Sequence, residues 1–151
     1  MALFEDYIGS SSEPFENPVE RVAVRRFAEA IGQPHPVYTD PEYARASRYG
    51  GLIAPPTFPR TFDYGAVTGL ELPYEGLIHG SHRISYERPL YVGEEVLCDV
   101  RLVDSFDREG RTGRLGFLVF QRAGRTPEGE RIFTSEDTVI VTEKVRERLA
   151  R

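Results

Sequence analysis

Three features of the chain predict an α+β domain in which a curled antiparallel sheet wraps around one central helix. Residues 57–69 are apolar on much of their surface and follow Pro55-Pro56, the pattern of a buried helix. From Leu77 the signal changes, and the runs 78–91, 95–106, 113–122 and 131–142 are rich in β-branched and aromatic residues, separated by turn residues such as Val92-Gly93 and Thr126-Pro127-Glu128-Gly129. The length, 151 residues, suits one domain with a sizeable core. A helix followed by a run of strands in meander order closes best with the sheet curled around the helix. Its edge strand would need a partner, either a second copy or a related chain.

Taken in order, residues 1–16 read as an arm with short strand character. Asn17-Pro18-Val19-Glu20 combines a side-chain cap, a proline at the first helical position and a capping-box glutamate, which predicts a helix over 17–31. Val24, Phe27, Ala28 and Ile31 share its apolar face, and Gly32 ends it. Asp40-Pro41 repeats the cap-then-proline signal and starts a short helix through Tyr43, Ala44 and Ala46. Residues 143–151 read as a charged, frayed tail. The domain expectation is therefore 1–142 as one unit and 143–151 as the tail.

With 40% hydrophobic and 28% charged residues the composition is that of an ordinary globular protein. A net charge of -5 with no basic run speaks against nucleic acid as a partner. No stretch is long and apolar enough for a membrane span, and the first residues lack a secretion pattern, so the expected location is the cytoplasm. Cys98 is the single cysteine, set in Val96-Leu97-Cys98-Asp99-Val100 and expected to be a packed side chain. His35, His79 and His82 do not have metal-ligand spacing, so no metal is expected.

Two loops punctuated by glycine and proline stand out, Gly32-Gln33-Pro34-His35-Pro36-Val37-Tyr38-Thr39-Asp40 and Tyr49-Gly50-Gly51-Leu52-Ile53-Ala54-Pro55-Pro56-Thr57-Phe58. Together with Phe27-Ala28-Glu29-Ala30-Ile31-Gly32, His79-Gly80, Arg88-Pro89-Leu90 and Val92-Gly93-Glu94, they resemble the MaoC-like hot-dog dehydratases and (R)-specific enoyl-CoA hydratases. The branch most resembled is that of the N-terminal dehydratase domains, and the likeness covers roughly residues 4–142. It implies a hot-dog fold, an acyl-thioester substrate carrying coenzyme A or acyl carrier protein, a role in fatty acid metabolism, and no separate cofactor.

In the catalytic members the resemblance implies a loop Gly-Asp-any-Asn-Pro-aliphatic-His, whose aspartate and histidine hold a water against an enoyl thioester. A backbone N–H at the start of the central helix stabilises the thioester oxygen. Here the aspartate position is Gln33, the histidine position is Tyr38, and the glycine that would give the N–H is Pro56. Glutamine takes no proton at neutral pH, an ordinary tyrosine titrates near ~10, and proline has no N–H. Candidate substitutes are His35 with Asp40, His79 with Tyr38, and an oxyanion bond from Thr57 or Phe58. The bland reading makes His35 a loop residue with a structural hydrogen bond, and His79 and His82 strand residues facing a wall or solvent.

Gly51, Leu52, Ile53, Ala54, Thr57, Phe58 and Phe62 are the candidate substrate-binding residues, with ordinary core packing as the other reading. Arg83, Arg88 and Arg101 are candidates for the phosphates of coenzyme A. The leading functional expectation is a subunit of an enoyl-thioester hydratase or 3-hydroxyacyl-thioester dehydratase, shaping the acyl tunnel while a partner hot-dog chain supplies Asp and His. The alternatives are a homodimeric acyl-CoA binding module, an active hydratase with a rewired site, and a thioesterase using Asp63 or Glu71.

Overall fold

The computed structural model describes all residues 1–151. A 3₁₀ turn at Glu5–Tyr7 leads to β1 (Phe15–Pro18), α1 (Arg21–Ala30), α2 (Pro36–Thr39), α3 (Pro41–Ala46), a second 3₁₀ turn at Phe58–Thr61, then β2 (Leu77–Tyr86), β3 (Glu95–Gly110), β4 (Gly113–Arg125), β5 (Arg131–Val141) and α4 (Glu143–Leu149). The five strands make one antiparallel sheet in the order β1-β3-β4-β5-β2. The fold is the hot-dog; Phe58 of the Phe58–Thr61 turn and Val24 of α1 pack into its core, while most of α1 stays exposed. Alternate residues point inward: Val96, Cys98, Val100 and Leu102 from β3, Leu118 and Phe120 from β4, and Phe133 and Val141 from β5 join Val24, Phe58, Tyr64 and Val67 in one core.

Four sequence expectations are corrected. The capping residues Asn17 and Pro18 lie in β1, opposite Val96 and Glu95, and α1 starts only after Glu20. The Asn17 amide is claimed elsewhere: its Nδ2 donates to the Asp63 carbonyl at 2.8 Å and its Oδ1 accepts from the Asp63 N–H at 2.8 Å. At the other end α1 stops at Ala30, so Ile31 is its C-cap and 44% exposed, while Val24 and Ala28 are buried as expected.

The helix expected over 57–69 is a single 3₁₀ turn followed by irregular chain. Phe62 is already extended, Asp63 is tied to Asn17, the Tyr64 carbonyl accepts from Ser12 Oγ at 2.7 Å, and Gly65 has φ +69°. Each of these long-range bonds satisfies a backbone group that a helix would have used, so tertiary bonding overrides local propensity. The buried part of the predicted helix survives as Phe58, Pro59, Tyr64 and Val67.

Only β3, β4 and β5 form a meander. β2 ends at Tyr86, before Arg88-Pro89, and crosses to the far edge to pair with β5. The expected frayed tail is α4, anchored by Val145 at 1% exposure and by an ion pair between Arg146 and Asp107. Val145 and Leu149 seat it against the core, and Arg146 turns in to Asp107.

Two glycines allow close approach within the sheet. Gly80 sits at a bulge in β2, where an added Cβ would meet the Thr138 carbonyl at 3.1 Å. Gly124 faces Phe133 across the ladder, and its missing side chain lets the Phe133 ring lie over the strand, in the space a Cβ would take.

Candidate functional site

The two loops singled out by sequence meet at one end of the sheet. His35 caps α2, its Nδ1 accepting the Val37 N–H at 3.1 Å, and Asp40 Oδ1 caps α3 by accepting from Glu42 and Tyr43 at 3.0 and 3.3 Å. Both side chains are thus committed to backbone, and neither bonds the other. Gln33 is exposed. Tyr38 is partly buried, and burial first, then the neighbouring Tyr49, push its hydroxyl above the ordinary tyrosine range. A phenol shifted that way holds its proton and is a poorer acid than a free tyrosine, with no neighbouring base to take the proton.

Tyr38 lines a cavity of about 350 Å³ with Ile53, Ala54, Pro56, Tyr86 and Leu90. The Pro56 carbonyl accepts from Tyr86 Oη at 2.6 Å, and the Phe58 N–H donates to Pro55 at 2.9 Å. Pro56 and Phe58 therefore offer no free donor to an oxyanion. Gly51 stands beside Tyr91, whose hydroxyl donates to the Tyr49 carbonyl at 2.9 Å. Leu52 is half-buried beside it and Thr57 is exposed at the mouth of the Phe58–Thr61 turn. Phe58 and Phe62 are not at the cavity wall. They stack edge to face at 5.5 Å inside an aromatic group with Phe27 and Phe133.

His79 is exposed on β2, seven residues from Tyr86, roughly 23 Å along an extended strand. The structure therefore does not bring His79 to Tyr38. Arg88 is held by Glu94 through two N–H···O bonds of 3.0 and 2.5 Å, while Arg83 and Arg101 lie exposed on the sheet. Asp63 accepts the Gly65 N–H at 2.9 Å, Glu71 is exposed, and neither lines the cavity, which has no carboxylate of the kind a thioesterase would use.

Sequence reading missed a second site farther along the inner face. Asp137 of β5 is 2% exposed, and converging on it are Arg60 from the Phe58–Thr61 turn at 3.2 Å, Arg122 of β4 at 2.5 Å, and His82 Nδ1 of β2. They surround a cavity of about 180 Å³. A signal for it exists, since Asp137 is a charge at an inward position in phase with Phe133 and Val141. Its partners come from three separate elements, which no spacing rule connects.

Residues 6–135 match the profile of the family described as FAS1-like, dehydratase domain region. A UPF0336 protein of Thermobifida fusca is 35% identical over 150 residues, covering 93% of this chain and 95% of that one. A MaoC-like dehydratase from Rhodospirillum rubrum superposes with a TM-score of 0.72 at 23% identity, over 93% and 96% of the two chains. A chain of the HadBC (3R-hydroxyacyl-ACP dehydratase) complex from Mycobacterium tuberculosis does so with 0.68 at 21%, over 85% and 91%. Profile and sheet agree: the chain belongs to the FAS1-like dehydratase-domain family and has the hot-dog fold.

Proposed function

We infer that this chain is a non-catalytic subunit of an (R)-specific enoyl-thioester hydratase or 3-hydroxyacyl-thioester dehydratase, lining the acyl tunnel for a partner hot-dog chain that carries Asp and His. The observation that carries the reading is Tyr38. It stands in the histidine position at the wall of a largely apolar cavity, with its proton held more tightly than normal and no base bonded to it. Gln33 and Pro56 supply neither of the other two elements. The cavity is in the size range of small-molecule sites and fits an acyl thioester, with coenzyme A or acyl carrier protein as the carrier.

A two-chain arrangement is supported by the sheet itself. β2 is an edge strand of ten residues with one side unpaired, long enough to extend the sheet into a second hot-dog. The M. tuberculosis structural neighbour is described as a complex, which is the precedent for pairing within this fold. That same edge would serve a second copy equally well, giving a homodimer that binds acyl-CoA and never turns it over.

The test is hydration of a short trans-2-enoyl-CoA, followed by loss of the conjugated thioester absorbance. The purified chain is measured alone, with Tyr38→Phe, and mixed with a hot-dog chain that retains Asp and His. Turnover only in the mixture is expected. Turnover by the chain alone that Tyr38→Phe abolishes would sink the reading and place Tyr38 in a rewired site.

A further inference from the structure

We propose that the cavity walled by Arg60, His82, Arg122 and Asp137 binds a carboxylate on an apolar chain. The starting point is charge. Two guanidinium groups, fixed in the charged state, face one carboxylate, and no second acid lines the cavity. A buried aspartate needs one such partner to be neutralised, so the second guanidinium leaves one positive charge in excess.

Hydrogen-bond capacity points the same way. Arg60 and Arg122 each use a single Nη1 on Asp137, leaving the remaining N–H groups of both without a side-chain or backbone acceptor. His82 Nδ1 bonds Asp137, while its Nε2 is buried and has no partner at all. The Ser135 side chain opens on the same space. A buried polar atom without a partner is costly, and here it lines the same small cavity as two guanidinium groups.

The groups facing His82 are Asp137 from β5, Arg122 from β4, Arg60 from the 3₁₀ turn and, along β2, His79 with its ring 6.4 Å away. The Tyr64 hydroxyl is committed to the Pro59 carbonyl at 2.6 Å and does not compete. With an anion in place, the His82 ring lies between two carboxylates, and its Nε2 gains the partner it lacks.

The tail is specified by what adjoins the pocket. Arg122 lies over the Tyr64 and Phe120 rings at 5.4 and 5.9 Å, which fixes its guanidinium. It is also part of the wall of a larger, mostly apolar cavity of about 550 Å³, in which Val67, Leu70, Val100, Phe120 and Val139 outnumber the one carboxylate, Glu71. A charged head at Arg122 with an aliphatic tail along these side chains uses both spaces. Neither a partner chain nor catalysis is needed for such binding.

The experiment is calorimetric titration of the full chain with octanoate, octan-1-ol and acetate. Octanoate is expected to bind at least about tenfold tighter than either of the others, because the alcohol lacks the charge and acetate lacks the tail. His82→Phe, which removes the buried Nε2 facing the anion, should weaken octanoate. Arg122→Gln should weaken octanoate strongly. Should that variant fail to fold, Arg60→Gln decides: Arg60 is half exposed, its loss spares the fold, and octanoate should weaken at least about fivefold. Octanol matching octanoate, octanoate indifferent to Arg60→Gln, or no octanoate binding at millimolar concentration would each overturn the proposal.

Discussion

The cavity beside Tyr38 and the pocket around Asp137 lie on the same inner face yet are built on opposite principles. At the first, the candidate substitutes His35 and Asp40 are spent as helix caps, Tyr86 donates to the Pro56 carbonyl, and Tyr38 has no base beside it. At the second, charged side chains from four elements meet and leave nitrogen atoms unused. Family-like motifs thus mark where the scaffold is built, whereas unspent polar capacity marks where a ligand can still be recognised.

Phe133 separates the two regions, its ring 5.8 Å from Tyr86 on one side and 6.2 Å from Phe62 on the other. If the regions are independent, removing this wall is the largest single perturbation. Phe133→Ala should cost about 3–5 kcal/mol in urea unfolding, since the ring is fully buried and the neighbouring rings cannot collapse onto Gly124. A loss under about 1 kcal/mol would mean that the rings repack freely and that Phe133 divides nothing.

Next in size is Asp137→Ala, expected to cost about 2 kcal/mol. Breaking a buried pair costs more than that when both partners are buried, but solvent reaches Arg122 and especially Arg60. Asp40→Ala, which removes only a cap, should cost about 1 kcal/mol by the same measurement. Equal losses from the two variants would say that Asp137 is no more than another local bond.

The smallest effect is a pH dependence at Tyr38. Its folded-state hydroxyl is raised above the unfolded value of about 10, so its contribution is fully present below that pH and is lost as pH rises through the folded value. Tyr38→Phe should match the parent at about pH 8 and be the more stable of the two above about pH 10. Identical alkaline curves would show that Tyr38 is freely solvated and that the cavity wall lies elsewhere.

The strands were legible because β-branched and aromatic runs and glycine turns are local signals, and Gly32 and Asp40-Pro41 ended and started elements where local chemistry said they would. What local chemistry could not show was competition. Asn17 has every mark of a helix cap, but two hydrogen bonds to Asp63, 46 residues away, prevail over it. Tyr64 and Gly65 likewise look helical until Ser12 and the positive φ are known. The substitutions at Gln33, Tyr38 and Pro56 were readable one by one, whereas the Asp137 cluster required knowing that β2 crosses to the edge beside β5.

The Asn17–Asp63 tether also sets an order of assembly. β3 and β4 are joined by a two-residue turn between Gly110 and Gly113 and can pair as soon as both are made. β1 cannot be placed until β3 exists, and Ser12 must reach Val100, 88 residues on. Because Asn17 in β1 holds the segment after Phe62, the cavity end of the protein becomes rigid only after the far half of the sheet has formed. Such long closures make folding slow, on the order of milliseconds to seconds. On the ribosome, the segment up to the Phe58–Thr61 turn must wait unpaired for strands made much later, and it is the stretch most exposed to capture by a chaperone or by a second hot-dog chain.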